Sequence, residues 1–111
     1  MTNNDIVAEV RDFFATVGYS GLILPNGWFG RPYDNLFGLT RSEASEGALV
    51  LELDGQLVLT FAGEPQLTST GRGLRLTGFS GLAWDWTEFG STASHHEEFA
   101  SGEVELVAPM G

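Results

Sequence analysis

The chain contains no cysteine and no lysine, and no apolar run long enough to cross a bilayer. Without cysteine there are no disulfides, thiol nucleophiles, iron–sulfur clusters or cysteine zinc sites. At 111 residues the chain must therefore hold its fold with an ordinary apolar core. Without lysine there is no P-loop lysine, no Schiff-base lysine and no Ser–Lys pair. Basic charge is scarce altogether, being confined to Arg11, Arg31, Arg41, Arg72 and Arg75. Against fifteen acidic residues this leaves a net charge of −10, which disfavours contact with nucleic acid or an anionic membrane. The imbalance deepens along the chain, since residues 42–111 hold eleven of the acids and two of the arginines. Such a surface keeps a domain soluble and also attracts a basic partner. The opening residues carry no charged-then-apolar leader pattern, so a single cytoplasmic domain spanning 1–111 is expected.

Catalytic signatures are missing as well. There is no H-E-x-x-H, no G-x-S-x-G elbow and no P-loop, and Gly71-Arg72-Gly73 does not continue as G-x-G-x-x-G. The two histidines, His95 and His96, are adjacent, so on a strand they point to opposite faces and do not share an ion. One of them with Glu98 and Glu105 would make at most a weak cation site. No metal and no cofactor are expected.

What is present is first a helix. Over residues 4–17, Ile6, Val10, Phe13 and Val17 recur at helical spacing, and Val7 and Phe14 widen the stripe. Asn3 or Asn4 is placed to cap its start and Gly18 to end it. After Gly18 the apolar period drops to two. Short strands are expected over 20–24 and 36–41. The clearest hairpin is 49–53 with 57–61. A three-residue loop, 54–56, sets Leu53 opposite Leu57, Leu51 opposite Leu59 and Leu49 opposite Phe61, keeping both strands amphipathic. Its weakness is that a bulged loop of this length prefers glycine third, and here glycine is second. A strand over 66–69 precedes the turn at Thr70-Gly71-Arg72-Gly73. The next hairpin is read as 74–78 with 82–88, with Arg75 across from Asp85, and the last as 96–100 with 103–108, with Glu98 across from Glu105. Turn signals roughly every 8–12 residues fit an antiparallel meander. The expected fold is α+β: one N-terminal helix packed on a curved antiparallel β-meander of about six to eight strands, a roll or partial barrel.

One segment stands apart. Residues 27–35 place Trp28, Phe29, Arg31, Tyr33 and Asp34 between glycines and a proline. Aromatic rings beside an arginine are typical of binding hot spots, and the guanidinium can stack on Trp28 or Tyr33 or pair with Asp34. The same loop would serve equally as a plug that completes the core at one end of the sheet. Trp84 and Trp86 share one face of a strand and read as core residues against the helix. Phe79 and Phe89, out of register with them, read as exposed. The function these features favour is a small non-enzymatic binding domain using the 27–35 loop, for instance an acidic inhibitor of immunity-protein type. Its partner would be a protein or small molecule, and a homodimer is compatible with the composition. The alternative is a small enzyme or ligand carrier with a pocket inside the curved sheet, with Arg31, Asp34 and a histidine supplying the polar groups.

Overall fold

The computed structural model describes residues 2–29, 36–45, 47–87 and 94–109. It begins with the expected helix, α1, over Asn3–Val17. The cap is Thr2, in extended backbone, in place of Asn3 or Asn4. Its hydroxyl accepts from the Asp5 amide while the Asp5 carboxylate accepts from the Thr2 amide, a reciprocal capping box. Those hydrogen bonds hold the Asp5 carboxyl below its ordinary range. The buried stripe is Ile6, Val7, Val10 and Phe14, with Phe13 only half-buried. Asn3 is buried, and its amide nitrogen reaches the carbonyls of Ala48 and Gly63 at 3.1 Å and that of Ser45 at 3.5 Å. The asparagine thereby ties the start of α1 to the turn between residues 45 and 48 and to Gly63, just past residue 62.

Ten strands follow among the described residues: β1 Gly21–Leu24, β2 Gly27–Trp28, β3 Leu39–Ser45, β4 Ala48–Leu53, β5 Leu57–Ala62, β6 Gln66–Ser69, β7 Gly73–Thr77, β8 Gly81–Thr87, β9 Ser94–Phe99 and β10 Val104–Val107. The class is α+β, as the periodicity implies. The single meander is not found. The strands form two antiparallel five-stranded sheets, ordered β2-β1-β10-β7-β6 and β3-β4-β5-β8-β9. Their apolar faces and the helix share one core, dominated by Leu49, Leu51, Leu53, Leu57, Leu59, Phe61, Leu76, Val104 and Leu106. The helix packs along β3 and β4, tied by Arg11, whose Nε donates to the Ser42 hydroxyl and whose Nη2 donates to the Ser42 carbonyl. That places a helix beside the terminal strand of one sheet, a common way to protect an edge.

The 49–53/57–61 hairpin has the expected register. Asp54 takes a left-handed φ of 55° and Gly55 one of 66°, and the Gln56 amide donates to the Leu53 carbonyl. Glycine therefore sits second in the loop because a two-residue primed turn comes first and Gln56 is the extra residue. Gln56 is not wasted on the bulge: its carbonyl accepts from the Thr87 amide on the next strand.

Two expected hairpins are wrong. β7 does not pair with β8. It lies between β10 and β6, while β8 lies between β5 and β9. Arg75 therefore faces Glu105 and Thr68, and Asp85 faces Val58 and His96. The chain crosses between sheets after Thr77, with Gly78 at φ 73° turning it and Phe79 buried on Phe61, ring centroids 5.4 Å apart. Phe79, expected at the surface, is thus a core residue. Nor does β9 pair with β10, which is held between β1 and β7, so Glu98 and Glu105 are not opposed. β7 and β8 both send alternate apolar residues into the same core, whereas β9 contributes only Phe99. Alternation is satisfied equally by folding back as a hairpin or by crossing to the other sheet.

Candidate binding surface

The flank of β1 organises the segment singled out in the sequence. Leu22 and Leu24 point into the core, so Ile23 points outward. Ile23 is paired with Trp28 of β2, which places the indole on the outer side, 55 % exposed. The next amide, of Phe29, donates to the Leu22 carbonyl at 2.9 Å. Further back along the same flank, Ser20 and Phe37 exchange two backbone hydrogen bonds, at 2.9 and 2.8 Å. Residues 28–29 and 36–37 thus line one side of β1 in succession. Alternation then does the sorting. Phe29 and Phe37 turn inward, and Trp28 and Leu36 turn outward.

Inside, Phe29 meets three rings: Phe37, Trp84 and Trp86, at centroid distances of 5.7, 5.3 and 5.6 Å. Phe37 is also 6.4 Å from Trp86, edge to face. These are favourable separations for aromatic pairs. The ring contacts of the two tryptophans are therefore with this cluster. Phe29 and Phe37 are thereby held in one four-ring group with Trp84 and Trp86. Outside, Tyr19, Trp28 and Leu36 are 60 %, 55 % and 45 % exposed, and they are the large apolar side chains left at the surface among the described residues. All three lie along β1 and the residues leading into it, a stretch of roughly 13 Å from Tyr19 to Ile23 at the usual strand rise.

The sequence candidates thus divide. Trp28 is exposed and Phe29 is an anchor. Arg31, Tyr33 and Asp34 lie outside the described residues, as does Phe89. Tyr19 and Leu36 were not singled out, although each stands out of phase with a neighbour that enters the core, Ser20 and Phe37.

Two polar clusters are also present, the first beside this flank of β1, since Ile23 pairs with Glu105 on one side and with Trp28 on the other. On the outer face of the first sheet, the carboxylate of Glu105 is buried and receives two hydrogen bonds from Arg72, at 2.6 and 3.2 Å, with Arg75 3.6 Å away. The hydrogen bond from Arg72, with the charges of both arginines, holds its carboxyl below the ordinary value against the opposing effect of burial. On the outer face of the second sheet, His96 Nδ1 lies 2.7 Å from the Asp85 carboxylate and Nε2 lies 3.8 Å from Glu98. The hydrogen bond to Asp85, then the charges of Asp85 and Glu98, raise the imidazole above its ordinary value. His96 and Glu98 are therefore in a different sheet from Glu105, and the three are not brought together. No group of three or more His, Asp or Glu side chains suited to a metal ion occurs among the described residues. Among the described residues no helix is long and apolar enough to cross a membrane.

The described residues form one helix and two antiparallel sheets, an α+β arrangement with an aromatic cluster beneath an exposed apolar margin. Comparison with protein-family models, with curated proteins and with solved structures finds no match.

Proposed function

We propose that this is a non-enzymatic binding domain that engages a protein partner through the β1 margin formed by Tyr19, Trp28 and Leu36. Arg31, Tyr33 and Asp34, in the segment joining Phe29 to Leu36, complete the contact. The observation that carries this reading is the collection of the exposed large apolar side chains on one flank of one strand, where scattered exposure is the norm. Aromatic side chains whose backbone is fixed from below lose little freedom on binding, which favours their use as anchors. The net charge of −10 supports a basic partner, the relation an acidic inhibitor has to its target.

The test compares wild type with Trp28→Ala and Leu36→Asp as immobilised baits, after melts show that all three are equally folded. A basic protein retained by wild type and lost by both variants supports the reading. Identical capture by all three baits rules out the margin as the contact surface.

A further inference from the structure

The strand β9 ends its sheet, and among the described residues no backbone is paired with its far side. Helix α1 lies beside the opposite edge, on β3. The six residues of β9 are mostly exposed and read Ser94-His95-His96-Glu97-Glu98-Phe99. An open edge of this length is a template for another strand. The order of its charges selects which strand.

We propose that β9 is a self-association edge on which a second copy of this chain docks antiparallel, with His96 of each copy against Glu98 of the other. The two-fold axis of such a pair stands perpendicular to the sheet and keeps the two faces distinct. A residue therefore meets one an even number of positions away, or itself. With Glu97 on the axis, His96 falls opposite Glu98 twice, on the outer face. Each imidazole is then flanked by Asp85 of its own chain, on β8, and by a carboxylate of the second copy. The groups facing His96 from its own chain are Asp85 and Glu98, both acidic, and the contact at 3.8 Å shows that Glu98 reaches it. The cost of this register is one like-charge pair, Glu97 with its symmetry mate, each with Asn26 Nδ2 at 3.4 Å from its carboxylate. A strand of uniform acids would repel its copy. One with a histidine two residues ahead of a glutamate on the same face complements itself when reversed. The surface differs from the β1 margin, so the two readings stand or fall separately.

The experiment measures molar mass by light scattering or sedimentation at pH 6 and pH 8, in physiological salt, where remote charges are screened. Wild type should dimerise at pH 6, with dissociation becoming about tenfold easier or more by pH 8 as His96 loses its proton. His96→Glu and Glu98→Lys, at exposed positions, should each be folded by circular dichroism and monomeric at pH 6. Mixed, they should restore a one-to-one dimer, because each mismatched edge complements the other. Trp28→Ala should dimerise like wild type. Monomeric wild type at pH 6 would overturn the proposal. So would dimers of either variant alone, or a mixture that stays monomeric.

Discussion

Phe29 and Trp28 are neighbours in sequence with opposite fates, and replacing each by alanine measures how the 27–37 segment is held. Phe29 is half-buried and touches Phe37, Trp84 and Trp86 at 5.3–5.7 Å between ring centroids. A fully buried phenylalanine cut to alanine costs about 3–5 kcal/mol, and partial burial lowers the area-dependent share. Each lost ring pair adds about 0.5–1.5 kcal/mol beyond burial. Roughly 2–4 kcal/mol is the resulting expectation for Phe29→Ala. In a domain of this size that is a fall in melting temperature on the order of 10 °C. Trp28 is 55 % exposed and its main structural neighbour is Ile23 across the strand pair. Its alanine variant should stay within about 0.5 kcal/mol of wild type, as most surface changes do. Urea titrations followed by far-ultraviolet circular dichroism read both, without relying on the tryptophan fluorescence that the first change alters. A Trp28→Ala loss equal to that of Phe29→Ala would refute the division of labour argued for this segment, and with it the reading of Trp28 as a free contact residue.

On the helix, Phe14→Ala should cost about 3–5 kcal/mol and Phe13→Ala clearly less, because Phe14 is buried and Phe13 half-exposed; equal urea midpoints would contradict the packing of α1. Asn3→Ala should lose roughly 1–3 kcal/mol by removing the buried amide that donates to the Ala48 and Gly63 carbonyls, whereas the exposed Asn4→Ala should leave the melt unchanged. Glu105 has its folded-state value depressed by Arg72 and Arg75, so its contribution is present above its ordinary value of 4.5 and lost as the pH falls through the lower folded value. The fall in urea midpoint between pH 6 and pH 3 should therefore be smaller in Glu105→Gln than in wild type. An equal fall would mean that the arginine clamp contributes nothing to acid stability.

Local signals in the sequence were enough for the local structure. The helical stripe located α1 within a residue, because a 3.6-residue period in apolar side chains has no competing explanation at that length. The choice of Thr2 as cap was the exception, and it was decided by the buried amide of Asn3. The Leu49–Phe61 hairpin was legible in full register, since joining two amphipathic strands through a short turn leaves one arrangement that keeps both faces consistent. At the candidate surface, Trp28 and Phe29 were singled out together, but composition does not say which of two adjacent rings enters the core. Pairing of Ile23 with Trp28 and of Ser20 with Phe37 settled that.

The sequence by itself determined the α+β class, the acidic composition, the helix and most of the strand segments, although Gly27–Trp28 reads as loop and the strand expected over 36–41 lies over Leu39–Ser45. Only the tertiary structure decided which strands meet. The β7–β8 and β9–β10 links have turn residues that suit a hairpin, yet both carry the chain from one sheet to the other. Strand pairing is a contest among all available edges, and its outcome depends on partners distant in sequence. Periodicity reports which face of a strand is buried. It carries no information about which neighbour completes the ladder, and so Glu105 came to rest between Ile23 and Arg75, with Glu98 beside Ala83 in the other sheet.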